Sequence, residues 1–193
     1  MIAEGLKAIA RCLDAAGIPY MVMGGQAVLL YGEARFTRDI DITVALTPDE
    51  ADGLLLSLMS CGFSPTPKDV AGFIAETWVL PVEQTEMDVM VDIVFSILPF
   101  ERQAIDNARI INIEDVPVRF IPPEELVVQK LIAGRPRDIE DVEGIVEIQG
   151  NSIDKNRIFD MLDGLGKEME KPDLVKTWNG IIRKLNTSDK DDD

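Results

Sequence analysis

Histidine is absent from the 193 residues. With it go the Ser-His-Asp and Cys-His catalytic systems and every histidine-ligated zinc site. The two cysteines, Cys12 and Cys61, stand far apart without a CxxC spacing. The sequence therefore predicts neither a zinc site nor a disulfide framework, and places both as small core hydrophobes. Basic residues are few: 19 Lys and Arg stand against 35 Asp and Glu, for a formal charge of −16. A chain that sheathes a nucleic-acid duplex normally presents a basic face, so extended duplex DNA binding is not expected. No uninterrupted apolar run approaches the ~20 residues of a membrane span. The opening stretch MIAEGLKAIARCLDAAG carries Glu4, Lys7, Arg11 and Asp14 among its apolar positions, which describes an amphipathic helix and not a signal peptide. The expectation is a cytoplasmic protein with no membrane partner, whose catalysis must rest on carboxylates, amines or bound metal.

What is present is enough to fold. The composition is 46% hydrophobic and 28% charged, far from the signature of disorder. Helical spacing of Ile2, Leu6, Ile9, Ala10 and Leu13 predicts a helix over residues 2 to 16, ended by Gly17 and Pro19. A strand follows from Tyr20 to Met23, a break at Gly24-Gly25, and a short apolar helix from Gln26 to Tyr31 closed by Gly32. Ile40, Ile42 and Val44 alternate with Asp39, Asp41 and Thr43, the pattern of a half-buried strand. Thr47-Pro48-Asp49-Glu50 reads as an N-cap and first turn of a helix that Gly62 stops.

Residues 73 to 80 and 87 to 95 read as a strand pair joined by a turn at Pro81 to Glu86. A helix at about 99 to 107 and a hairpin turning at Glu114-Asp115 continue the series. From Pro122 onward the signal is helical throughout, at about 123 to 133, 137 to 149, 155 to 165 and 172 to 185. These elements predict an α/β (α+β) core over residues 1 to 121, with a mixed β-sheet flanked by helices. A helical C-terminal region over 122 to 187 and a disordered acidic tail at 188 to 193 complete the expected domains.

Chemistry concentrates between Gly24 and Ile42. A glycine pair between a strand and a helix lets backbone N–H groups approach a ligand closely, and the helix N-terminus behind it favours a polyphosphate. Asp39 and Asp41 project from one face of a strand, about 7 Å apart along it, and can converge on hard divalent ions. A metal pair held in this way stabilises both the attacking and the departing oxygens of a phosphoryl displacement. Each piece alone is common: a Gly-Gly is most often a turn, and alternating Asp most often a solvated face.

Their order is more specific. Gly24-Gly25, thirteen intervening residues, then Asp39-Ile-Asp41 resembles the signature of polymerase-β-like nucleotidyltransferases. The form Arg35-Phe-Thr37-Arg-Asp39-Ile-Asp41 looks like the bacterial and archaeal branch that includes abortive-infection-type toxins. A second match, Lys130-Leu-Ile-Ala-Gly-Arg135-Pro-Arg137-Asp138-Ile-Glu-Asp141, is similar to a motif of the same branch.

The resemblance implies a nucleotidyltransferase core and transfer of NMP from an NTP to an acceptor, which is RNA or tRNA, a protein or a small molecule. It implies Mg²⁺, or Mn²⁺, at Asp39, Asp41 and a third carboxylate from a later strand, with pyrophosphate released. Asp92 and Asp88 compete for the third place; the β-branched run around Asp92 favours it for the sheet interior, while Asp88 follows a turn-like segment. Gly24 and Gly25 would cradle the triphosphate, Arg35 and Thr37 would contact phosphate or ribose, and Lys130 with Asp138 would act at the nucleotide. The bland alternative for Arg137, Asp138, Glu140 and Asp141 is a set of helix-start charges on the surface. A different outcome on the same fold is a non-catalytic nucleotide-binding or toxin-antitoxin module with an antitoxin-like protein partner.

Overall fold

A computed structural model of the chain describes residues 2–96 and 98–188. The chain divides into two compact units: Met1–Ala27 with Arg35–Pro122, and Val28–Ala34 with Pro123–Asp193.

The first unit is an α/β structure built on a seven-stranded mixed sheet. Helix α1 (Ile2–Ala15) leads into β1 (Tyr20–Met23), α2 (Gly24–Tyr31), whose residues from Val28 onward belong to the second unit, and β2 (Ile40–Val44). A single 3-10 turn at Pro48–Glu50 precedes α3 (Ala51–Ser60), with the Thr47 amide donating to Glu50 Oε2 at 2.9 Å as a cap. Then come β3 (Ser64–Pro65), α4 (Val70–Thr77), β4 (Val79–Gln84), β5 (Val89–Phe95), α5 (Pro99–Asp106), β6 (Arg109–Ile113) and β7 (Val116–Phe120). The strand order is β3-β4-β5-β2-β1-β7-β6. The β2–β5 and β1–β7 pairs are parallel and the other pairs antiparallel.

Period-two alternation sorts the central strands. Ile40, Ile42 and Val44 of β2 are buried, as are Val89, Val91, Ile93 and Phe95 of β5, and α1 closes this side. Gly5 lies so close beneath the sheet that an added Cβ would stand 2.7 Å from Val89 Cγ1 and 3.1 Å from Ile40 Cδ1. Asp41, Thr43 and Asp92 alternate to the opposite face. Thr43 is fully buried there, and its hydroxyl donates to Met23 Sδ at 3.1 Å.

Three sequence expectations are corrected. Residues 73 to 77 are helical, not extended, and the hairpin is formed by Val79–Gln84 and Val89–Phe95. The Asp69 carboxylate accepts from the Gly72 amide at 3.0 Å and so caps α4, while Trp78 ends it in the left-handed region at φ 59°. The β-forming composition of the stretch is overridden by these two local devices. Cys12 and Cys61, expected as separate core thiols, are joined in a disulfide with a Cα–Cα distance of 6.1 Å that ties α1 to the end of α3. Finally, α2 begins at Gly24 itself, directly after β1, so the glycine pair is the first turn of the helix and not a break before it.

The second unit is helical: α6 (Pro123–Ala133), α7 (Pro136–Gln149), α8 (Lys155–Glu168) and α9 (Asp173–Ser188). Leu126, Val127, Val142, Ile145, Ile158, Leu162 and Trp178 are buried within it. Gln149 Nε2 donates to the Tyr31 carbonyl at 2.8 Å, and a Cβ on Gly32 would meet Ile145 Cγ1 at 2.9 Å. The acidic tail expected at 188 to 193 lies outside the described residues beyond Ser188, where α9 ends. Among the described residues no helix is long and apolar enough to cross a membrane.

Candidate active site

The sheet and α2 bring the first motif together. Gly24 has φ +60°, a conformation open to glycine at little cost, and an added Cβ would stand 1.9 Å from Asp41 Oδ2. The missing side chain is therefore the space the Asp41 carboxylate occupies. Gly25 does the same for Thr37, whose Oγ1 would lie 2.5 Å from an added Cβ. Gln26, buried in the same helix, donates from Nε2 to the Asp39 carbonyl at 3.3 Å and fixes the backbone just ahead of β2. Gln26 was not singled out from the sequence; only its position after the glycine pair could have drawn attention to it.

Asp41 and Asp92 are register partners across the parallel β2–β5 pair. Their Cα atoms are thus about 5 Å apart and their side chains share a face. Burial raises the pKa of Asp92 above the ordinary aspartate value, and the charge of Asp39 raises it further. Asp39 lies one residue ahead of β2, and its side chain is exposed. Asp88 sits at the turn before β5, exposed and left-handed at φ 51°, so it does not share the sheet position of Asp92. Arg35 is half-buried on the segment leading to Asp39.

Hard carboxylate oxygens with no soft ligand among them suit Mg²⁺ or Mn²⁺. The in-register pair, with Asp39 close enough to perturb Asp92, is a like-charge cluster that a divalent cation would relieve. Among the described residues, however, no three Asp, Glu or Cys side chains are gathered into a finished metal cage. The donor set fits the ion in chemistry, and the rotamers of the three aspartates would need to turn toward it.

The second motif lies in the second unit and forms an ion cluster. Lys130 Nζ is 3.1 Å from Asp138 Oδ1 and 2.6 Å from Asp141 Oδ2, with all three side chains no more than 8% exposed. Asp138 also accepts from Arg135 Nε at 2.7 Å and from the Arg135 amide at 3.3 Å, which caps α7. Burial pushes the Asp138 carboxyl upward in pKa, but the hydrogen bonds from Arg135 and Lys130 prevail and hold it below the ordinary value. Asp138 and Asp141 are therefore buried partners of a lysine, whereas Arg137 and Glu140 are exposed.

A mixed sheet carrying paired aspartates, opposed by a glycine-led helix, defines a nucleotidyltransferase fold. Residues 1–186 match the family described as nucleotidyltransferase of unknown function (DUF6036), and the chain belongs to it. No curated protein matches. Among solved structures, an antigenic nucleotidyltransferase-like protein from Paracoccidioides brasiliensis is similar over 92% of this chain and 91% of its own, at 18% identity and TM-score 0.56. The solution structure of the antibiotic-resistance factor ANT(2'')-Ia is similar over 98% of this chain and 99% of its own, at 14% identity and TM-score 0.56. Both likenesses are of fold.

Proposed function

We propose that this chain transfers a nucleoside monophosphate from an NTP to an acceptor, with Mg²⁺ bound by Asp39, Asp41 and Asp92. The observation that carries the reading is the register of Asp41 and Asp92 beneath Gly24, whose absent side chain makes room for the Asp41 carboxylate. Membership of a nucleotidyltransferase family supports it.

In this reading an acceptor oxygen attacks the α-phosphorus of the NTP, the bond from that phosphorus to the bridging oxygen breaks, and pyrophosphate departs. Divalent cations bound at the aspartates would supply charge stabilisation for the attacking and leaving oxygens. Gly24 and Gly25, opening α2, offer amides to the triphosphate. Arg35 and Thr37 would contact phosphate or ribose. Asp92, the register partner of Asp41, would hold a cation or take the acceptor proton. Lys130, held by Asp138 and Asp141, positions α6 against α7, and its ammonium neutralises phosphate charge only insofar as those carboxylates release it. The acceptor is RNA, protein or a small molecule, and the compartment we assign is the cytoplasm.

The test is incubation with Mg²⁺, each α-labelled NTP and total RNA or cell extract, for the wild type and for Asp39→Asn and Asp41→Asn. Label should move to one acceptor class with the wild type and to none with the variants, whose melting temperatures should stay near wild type. Normal turnover by the Asn variants refutes the metal-site reading. Absence of transfer by the wild type, with the NTP still bound, favours a non-catalytic nucleotide-binding module.

A further inference from the structure

The segment ahead of β2 carries one feature that the reaction above does not use. Its side chains alternate: Arg35 and Thr37 are half-buried, Thr37 lying over Gly25, while Phe36 and Arg38 face solvent. Phe36 is 75% exposed, more than any other large hydrophobic side chain among the described residues. Tyr20, Phe63 and Phe95, by contrast, are sealed in the core. The ring is also not loose, for the Arg38 guanidinium stands over it at 5.2 Å from the centroid, a cation–π contact that holds its plane.

Position gives this pair its meaning. Phe36 precedes Asp39 by three residues and Asp41 by five, on a backbone pinned by Thr37 against Gly25 and by Gln26 at the Asp39 carbonyl. In a chain of net charge −16, the stretch Arg35-Phe36-Thr37-Arg38 sets the Arg38 guanidinium against an exposed aromatic face, while Arg35 alternates to the half-buried side. An exposed ring beside guanidinium groups is the chemistry with which proteins hold nucleobases: stacking accepts the flat face of any base, and the positive charge meets the phosphates attached to it.

We propose that Phe36, steadied by Arg38, is the stacking platform for a nucleobase delivered to this site. The inference rests on the nucleotidyl-transfer reading and extends it by naming the residue that holds the base. The base belongs to the incoming NTP or to the end of an RNA acceptor, and the chemistry of recognition is the same for both.

Binding is measured by calorimetry in Mg²⁺ for the wild type, Phe36→Ala and Phe36→Tyr. The probes are α,β-methylene-ATP, inorganic tripolyphosphate, a short single-stranded RNA, and that RNA with an abasic 3′ nucleotide. Phe36→Ala should weaken one of the base-bearing ligands by roughly tenfold or more. It should leave tripolyphosphate and the abasic RNA unchanged, and Phe36→Tyr should bind like the wild type. Loss on the ATP analogue assigns the base to the NTP; loss on the intact RNA assigns it to the acceptor. Because Phe36 is exposed, the melting temperatures should agree, so a binding loss is not a folding loss. Wild-type affinity of Phe36→Ala for both base-bearing ligands overturns the platform while leaving the transfer reading in place, as does an equal loss on tripolyphosphate. A wild type that binds none of the four probes overturns the transfer reading, and the platform falls with it.

Discussion

Replacing Lys130 by Met separates a structural role from a chemical one. The ammonium is the shared cation of two carboxylates at 2.6 and 3.1 Å, and the three side chains are nearly out of solvent. At an effective dielectric of about 20 each pair is worth roughly 5 to 6 kcal/mol of gross attraction, most of which offsets desolvation. Removing the cation alone leaves buried negative charge, and breaking such a pair costs about 3 to 5 kcal/mol. Asp138 keeps Arg135 and its own helix cap, so the cost falls at the lower end, about 3 kcal/mol. For a chain of this length that is a loss of about 6 to 12 °C in melting temperature.

Urea and thermal melts of Lys130→Met at pH 7 should show this loss, and Lys130→Met combined with Asp141→Asn should recover much of it. The pH dependence has a definite sign. The Asp138 carboxyl titrates below its ordinary value in the folded chain, so its stabilisation is complete at neutral pH. That stabilisation is lost as the pH falls below about 4 toward the folded value. The Asp138 ion pairs should therefore count for less in acid. A Lys130→Met chain that melts like the wild type at pH 7 refutes the argument. If that chain also transfers no nucleotide, Lys130 acts at the phosphate and not as a buried brace.

Two further outcomes follow from the first unit. Burial and the charge of Asp39 raise the folded pKa of Asp92, so the ionised group disfavours the fold above that pKa. Asp92→Asn should then melt slightly higher than wild type without metal at pH 7, by a degree or two once solvent screening is allowed for. It should lose that advantage in acid and bind Mg²⁺ more weakly, while Asp88→Asn, at its exposed turn, should match the wild type in melt, titration and transfer. Reduction of the Cys12–Cys61 bond, which spans 49 residues, should cost up to about 4 kcal/mol by chain entropy. Melts with and without reductant measure it, and equal melting temperatures would refute it; in a reducing compartment the open form is the one that operates.

The sequence was most legible where one local rule governed. The alternation through Ile40, Asp41 and Ile42 located β2 and its inward face, and the turn at Glu114-Asp115 located the β6–β7 hairpin at Arg109–Ile113 and Val116–Phe120. It was less legible where a short-range cap opposed composition. Phe73 to Leu80 is rich in strand formers, yet one carboxylate, Asp69, and one left-handed residue, Trp78, make most of it a helix. Contacts between distant segments were hidden in another way. Cys12 and Cys61 meet only because α1 and α3 pack together, and Asp138 turns inward only because the Gly134-Arg135-Pro136 corner folds α7 back on α6. The Asp41–Asp92 register depends on a parallel pairing between strands some fifty residues apart, and no pattern within either strand specifies it.

Two glycines define the position of the candidate site from opposite sides of the sheet. Gly24 opens the upper face so that α2 can approach the Asp41 carboxylate. Gly5, in the first turn of α1, opens the lower face against Ile40 and Val89, the residues that begin β2 and β5. A glycine within a helix costs up to about 1 kcal/mol against alanine, and here that cost lets the helix axis lie close under the two strands that carry Asp41 and Asp92. The two strands thus lie against α1 through Ile40 and Val89, and the Asp41 side chain lies against Gly24 at the start of α2. Asp41 and Asp92 stand on paired strands, whereas Asp39 lies on the irregular segment ahead of β2 with an exposed side chain. All three side chains of the proposed site would thus turn toward a cation, two of them from the paired strands and the third from the segment ahead of β2. That division is the one a site needs if the ion is to enter and its ligands are still to be aligned for chemistry.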